Sequence, residues 1–201
     1  NLTSKASSSK TPIAVNSAAY SYQKGHDTTL IDIDPQESST QWLEQRPLNK
    51  ATIKRSRKFQ KPVKKGKNTV IIYDVPAAVY GSKLETYIKK ADMIVVPVMP
   101  SPIDIKAAQE FLNNLRSMGP VIRHTIKVGL VAHSASASPN IFLELDTYLV
   151  REKGLKYITA FRDNTNYIKS ARSGLGIFEM GESITAQDRE EWKTLHKWLE
   201  L

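Results

Sequence analysis

The sequence predicts an α/β protein, a mostly parallel sheet flanked by helices on both faces. Three observations carry this. Short apolar runs at 28–33, 69–73, 93–98, 126–131 and 155–160 are continuous and rich in Val and Ile, as strands covered on both faces are. Between them lie segments with apolar residues at helical spacing. Strand and helix alternate along the chain, the pattern of parallel strands joined by helical crossovers.

Taken in order, the chain opens on a Ser/Lys-rich loop at 4–11, followed by a helical pattern at 13–24. Thr11 can serve as its N-cap, with Pro12 at the first helical position. Such a loop ordinarily follows a buried strand, and none precedes Asn1. A first strand, typically about six residues, is therefore expected to be missing from this sequence. The strand at 28–33 carries Asp32 and Asp34, two apart and so on one side. The stretch 50–67 contains Pro62 and Gly66 with little periodicity and reads as a loop or a short frayed helix. The strand at 69–73 runs into Asp74, and 82–90 is helical. The strand at 93–98 precedes Pro100-Ser101-Pro102. The helix at 104–118 aligns Ala107, Ala108, Phe111, Leu112 and Leu115. The helix at 140–153 aligns Ile141, Leu145, Tyr148 and Leu149. The last, at 185–199, opens on Thr185-x-x-Asp188 as a capping pair and aligns Trp192, Leu195 and Leu199. There is no internal repeat, and 201 residues suit a single domain, 1–201.

Composition excludes several chemistries. The chain has no cysteine, which removes disulfides, thiolate zinc sites, iron–sulfur clusters and a cysteine nucleophile. That fits a reducing compartment. Apolar runs reach about five residues against the ~20 that span a bilayer, and the polar start lacks a signal-peptide core. A cytoplasmic protein without stable membrane insertion is expected. There are 29 basic and 20 acidic residues, a net charge of +9. All of that excess lies in one strip from 50 to 67: Lys50, Lys54, Arg55, Arg57, Lys58, Lys61, Lys64, Lys65 and Lys67, with no acid among them. Such a strip suits sequence-independent contacts to phosphates; its simpler reading is a solvated loop.

The candidate site begins at Lys10-Thr11, placed at the mouth of a helix. There an ammonium and a hydroxyl can meet phosphates and Mg²⁺. Lys5 stands five residues earlier. Asp32 and Asp34 end one strand and Asp74 ends another, at the edge of a parallel sheet where ligands bind. A hydrophobic strand ending in Asp is what a Mg²⁺-nucleotide site uses to hold the metal's water shell.

Four elements, Lys5-x-x-x-x-Lys10-Thr11, Asp32-Ile33-Asp34-Pro35-Gln36, Ile72-Tyr73-Asp74-Val75-Pro76 and Val96-Pro97-Val98-Met99-Pro100-Ser101-Pro102, together resemble the ParA/MinD group of deviant Walker ATPases, nearest to short ParF-like partition proteins. The end of the chain, Gly174-Leu175-Gly176-Ile177-Phe178-Glu179, matches the family's late segment in style. The resemblance implies a P-loop NTPase-like fold and a slow Mg²⁺-dependent ATPase that dimerises on ATP, binds non-specific DNA and positions a plasmid, chromosome region or protein assembly. It implies a ParB-like adaptor that stimulates hydrolysis and a nucleoid-associated location. Carried over by position, Lys10 neutralises the β- and γ-phosphates and Thr11 ligates Mg²⁺. Asp34 orients the attacking water, Asp32 supports the metal shell and Asp74 is the Walker B acid. Lys5 reaches across the dimer, and the loop Lys5, Ala6, Ser7, Ser8, Ser9, Lys10, Thr11 and Pro12 wraps the phosphates. His133 stands where an adenine-contacting asparagine is usual, and Pro100 and Pro102 line the purine side or the dimer edge. The DNA surface would be Lys54, Arg55, Arg57, Lys58, Lys61, Lys64 and Lys65, with a second basic set at Arg151, Lys153, Lys156, Arg162, Lys169 and Arg172.

The family's loop is glycine-rich, whereas here its three glycine positions hold Ala6, Ser7 and Ser9. A β-carbon where φ must be positive costs on the order of 1 kcal/mol. This departure keeps open a non-hydrolysing scaffold that binds DNA or a partner protein. A third reading, a MinD-like membrane regulator, needs a basic amphipathic C-terminal helix, and the charges at 190–199 are mixed.

Overall fold

The computed structural model describes residues 10–50, 52–56, 68–76, 79–134 and 139–201. These fall into two compact units: residues 10–76 with Asn164–Arg189 and Leu201, and residues 79–163 with Glu190–Glu200.

The first unit is built on β1 (Asp27–Asp32), which pairs in parallel with β2 (Lys54–Ser56) on one side and β3 (Thr69–Asp74) on the other. Helix α1 (Lys10–Gln23) packs on β1 and β3, and α2 (Ser38–Glu44) packs on β1. The unit's core joins Ala14, Val15, Ala18, Ala19, Leu30, Trp42 and Ile53. Alanines on one face of α1 let its backbone come close to the strands. The helix also buries Asn16, Ser17 and Ser21, so its covered surface is not marked by hydrophobicity alone. Helix α7 (Thr165–Arg172) and a single 3₁₀ turn at Ile177–Glu179 complete the unit, the turn lying against α1.

In the second unit, β5 (Lys127–Ser134) pairs in parallel with β4 (Met93–Val98) and β6 (Lys156–Arg162). Helices α3 (Gly81–Ile88), α4 (Pro102–Arg116), α5 (Gly119–Ile122) and α6 (Pro139–Arg151) accompany this sheet. Its core holds Leu112, Leu115, Leu130, Leu145, Leu149 and Phe161. The final helix, α8 (Glu182–Trp198), contributes Trp192, stacked on Phe161 at a ring-centroid distance of 4.4 Å.

All ladders are parallel, as expected, and they form two sheets rather than one because β1 gathers β2 and β3 while β5 gathers β4 and β6. Three local expectations change. The strip expected as a loop contains β2, whose exposed Lys54 and Arg55 alternate with nothing apolar to mark a strand. Helix α8 begins at Glu182, so Thr185 is inside it and donates back to the Gly181 carbonyl at 3.0 Å. Asp188, instead of capping, accepts from the side-chain amides of Asn164 and Asn166 at 2.9 and 2.8 Å. Helix α1 likewise begins at Lys10, which leaves Thr11 inside its first turn.

Candidate functional site

The register of β1 against β3 sets Asp32 opposite Asp74 at the ends of both strands. Both carboxyls are buried, and their surroundings differ. Asp32 is closed by backbone: Oδ1 accepts from Asp34 N at 3.1 Å and Oδ2 from Thr40 N at 2.8 Å. It thereby ties the end of β1 to the first turn of α2. Asp34 holds the turn itself, Oδ1 accepting from Gln36 N at 2.9 Å.

Asp74 is only half satisfied. Its Oδ2 accepts from the Thr11 hydroxyl at 2.8 Å, and its Oδ1 is shielded from solvent without a hydrogen-bond partner. Burial raises its pKa to about 6; Thr11 and Ser39 hydroxyls oppose the shift, while Asp32 and Asp34 add to it by repulsion. Lys10, the first described residue of α1, stands over the same ground. Burial lowers its pKa, and the charges of Asp74 and Asp34 work against that. An ammonium, a hydroxyl and two carboxyls therefore share one place in the first unit.

The chemistry of this set suits a phosphate carrying a divalent cation. The Thr11 proton is engaged by Asp74, which leaves the hydroxyl's lone pairs for a cation. The unpartnered Asp74 Oδ1 is an acceptor suited to the proton of a metal-bound water. Among the described residues no group of three or more His, Cys, Asp or Glu could hold a metal ion. A cation here would draw on Thr11, water and phosphate oxygens, the coordination Mg²⁺ prefers in nucleotide sites.

The other residues singled out from the sequence are dispersed. Lys5, Ala6, Ser7, Ser8 and Ser9 lie outside the described residues, as do Arg57, Lys58, Lys61, Lys64 and Lys65. Pro12 sits in the first turn of α1, its carbonyl accepting from Asn16 Nδ2 at 2.8 Å. His133, Pro100 and Pro102 belong to the second unit. His133 is on β5, and burial lowers its pKa against the pull of Asp163. Ser101, between the two prolines, is the N-cap of α4 and accepts from Asp104 N at 3.1 Å; Pro102 opens that helix. Lys54 and Arg55 are not unopposed charges: they pair with Asp27 and Glu44, each at 2.7 Å. A groove of about 710 Å³ on the second unit, lined by Gln109, Glu144, Tyr148 and Arg151 among others, holds Arg151 of the second basic set and none of the expected nucleotide-site residues.

Sequence reasoning passed over two parts of the site's surroundings. The first is Ser39, fully buried at the start of α2 and next to Asp74. The run Ser38-Ser39-Thr40, one residue beyond the Asp-Pro-Gln turn, was its only signal. The second is Arg46, which meets Glu179 in two parallel contacts of 2.9 and 2.8 Å. Arg46 also donates to the Gly174 carbonyl at 2.9 Å, and Trp42 Nε1 donates to the Leu175 carbonyl at 3.2 Å. Gly174 has φ +61°, and a Cβ there would come within 2.5 Å of the Arg46 backbone nitrogen.

No protein-family model matches the chain. Over 108 residues it is 30% identical to maintenance of carboxysome distribution protein A of Gloeobacter kilaueensis, a match covering 52% of this chain and 50% of that protein. In three dimensions it matches the MinD cell division protein of Aquifex aeolicus with a TM-score of 0.63, over 88% of this chain and 87% of the other. Both matches are to proteins of the ParA/MinD type. At 13% identity the MinD likeness is one of fold, and the chain spans about half the length of the curated relative. No described helix is long and apolar enough to cross a membrane.

Proposed function

We propose that this chain is a ParA-type ATPase that binds ATP with Mg²⁺, dimerises on it, holds DNA without regard to sequence and positions a cargo. The observation that carries the reading is the meeting of Lys10, Thr11, Asp34 and Asp74 in the first unit, with Thr11 bonded to Asp74 at 2.8 Å. Lys10 would neutralise phosphate charge within its own subunit, and Lys5 would do so across the dimer. Mg²⁺ would supply charge neutralisation at the transferring phosphoryl group. Thr11 would hold it, with Asp74 and Asp32 orienting its shell, and Asp34 would orient the attacking water. His133, Pro100 and Pro102 would serve the base or the dimer edge. Among cargo classes, a protein assembly gains support from the relative named for carboxysome distribution. A ParB-like adaptor would stimulate turnover, and the strip at 50–67 would bring the dimer to the nucleoid.

The test is ATP binding with and without Mg²⁺, run beside a sizing measurement. Lys10→Ala should abolish binding. Lys5→Ala should leave monomer binding nearly intact and remove ATP-dependent dimerisation; equal loss of binding in both would contradict the cross-dimer role. DNA affinity should fall with a slope near −4 to −5 in log salt, about 0.9 per phosphate neutralised. Reversing Lys54, Arg55, Arg57 and Lys58 to glutamate should remove DNA binding and spare nucleotide binding. If the salt slope survives, the DNA surface lies elsewhere, with Arg151, Lys156, Lys169 and Arg172 next to be tried.

A second reading, a non-hydrolysing scaffold, is favoured by Ala6, Ser7 and Ser9 at the loop's glycine positions. Ser7→Gly and Ser9→Gly should tighten ATP binding if those positions need positive φ. Unchanged or weaker binding would mean that the loop has a different geometry.

A further inference from the structure

Ser39 is a fully buried serine whose hydroxyl has no hydrogen-bond partner, and it lies beside a buried carboxyl with one free oxygen. The next residue, Thr40, donates its N–H to Asp32 Oδ2 at 2.8 Å, and Asp32 is the register partner of Asp74, which places Ser39 beside that carboxyl. The Ser39 hydroxyl stabilises the charged form of Asp74, yet neither Ser39 Oγ nor Asp74 Oδ1 meets a partner in full hydrogen-bonding geometry. An unpaired buried hydroxyl is destabilising, and alanine would fill the same space without that cost. The two lone atoms match, one a donor and the other an acceptor.

We propose that Ser39 is a positioning residue for Asp74, its hydroxyl closing on Oδ1 as the Thr11 hydroxyl closes on Oδ2, so that the carboxylate is held from both sides when it serves a Mg²⁺-nucleotide. Each carboxylate oxygen has two lone pairs, so Oδ1 can accept from Ser39 and still face a metal-bound water. Rotation of the serine side chain about its Cα–Cβ bond re-aims the hydroxyl. Helix α2 is tied there to β1 through Thr40 N and Asp32, which gives that movement a fixed pivot. The inference rests on the function proposed above.

The experiment uses the full chain and measures the Mg²⁺ concentration needed for half-maximal binding of a fluorescent ATP analogue, with thermal unfolding alongside. Ser39→Ala should unfold at an unchanged or higher temperature and bind the analogue without Mg²⁺ as before. It should need about tenfold more Mg²⁺, the scale of one hydrogen bond to a charged group. Ser39→Cys, similar in shape with a weak donor, should fall between; it decides the matter if the alanine variant folds poorly. Ser17→Ala removes another buried, unpartnered serine hydroxyl, on α1, and should leave the Mg²⁺ requirement alone. An unchanged requirement in both Ser39 variants, with Lys10→Ala still abolishing binding, overturns the positioning role and leaves the proposed function standing. Equal effects of Ser39→Ala and Ser17→Ala also overturn it. A wild-type chain that binds no Mg²⁺-ATP overturns the proposed function and this inference together.

Discussion

Arg46 and Glu179 are buried together, with side chains only 6% and 2% exposed, and both are fully engaged. The guanidinium meets both carboxylate oxygens and the Gly174 carbonyl and lies over the Trp42 ring, while Glu179 also accepts from Gly176 N at 2.8 Å. Asp74, buried to the same degree in the same unit, has one oxygen bonded and one free, and the Lys10 ammonium nearby is itself partly desolvated. In one cluster burial is matched by partners, so the charges fix structure. In the other, partners are short by an amount that a phosphate and a hydrated cation would supply. The contrast separates a latch from a site, although both are pairs of opposite charges in protein surroundings.

The sharpest way to break this comparison is to cut the latch. Glu179→Ala takes the carboxylate away from a buried guanidinium and should cost about 3–5 kcal/mol in chemical denaturation. A loss below about 1 kcal/mol, the range of exposed pairs, would remove the distinction. The next effect concerns pH. Asp74 keeps its proton to about pH 6 when folded, against an ordinary value of 3.8. The folded state therefore binds more protons than the unfolded one between those values. Its contribution is fully present below about pH 4 and is lost as pH rises through about 6, up to about 3 kcal/mol. Asp74→Asn should flatten that fall; a variant that declines as steeply as the wild type would show that Asp74 is not its source. Gly174→Ala comes third. It places a side chain at positive φ and against the Arg46 backbone, and about 2 kcal/mol of destabilisation is expected from the two effects. A fully stable alanine variant would mean that this turn relaxes without harm to the latch. The smallest effect is on β2. Lys54→Ala removes an exposed pair with Asp27 and should change stability by less than about 1 kcal/mol, so a loss of DNA affinity in that variant would not be a folding defect.

Much of the fold could be read from the sequence because its signals are local. The strand Met93–Val98 occupies the expected residues, and the other four expected strands shift by one to three residues at their ends. Helices with an apolar face, α4 and α6, bury Leu112, Leu115, Leu145 and Leu149 as their spacing implied. What escaped was short or polar. Helix α2 is seven residues long, and β2 is three residues carrying two charged side chains. At α7 the buried side chains are Asn166 and Ser170, which no hydrophobic period reveals. In the site, Asp32, Asp34 and Asp74 could be found because acids at the ends of apolar strands stand out. Ser39 could not, since its meaning comes from contact with β3. Arg46 and Glu179 are 133 residues apart, and only the folded chain brings them together.

The discontinuity of the first unit bears on how the chain folds as it is made. Residues 10–76 emerge from the ribosome early, and Asn164–Arg189, which belong with them, emerge after the whole of 79–163. Until then Trp42 and Arg46 lack the carbonyls and the carboxylate that receive them. The Thr11–Asp74 contact spans 63 residues and can close much sooner. On the growing chain the pieces of the proposed nucleotide site can thus meet before their support is complete, and residues 79–163 of the second unit have to be synthesised in the interval. Contacts of such long sequence separation form slowly, so translation past Glu179 is the point at which the first unit can become rigid.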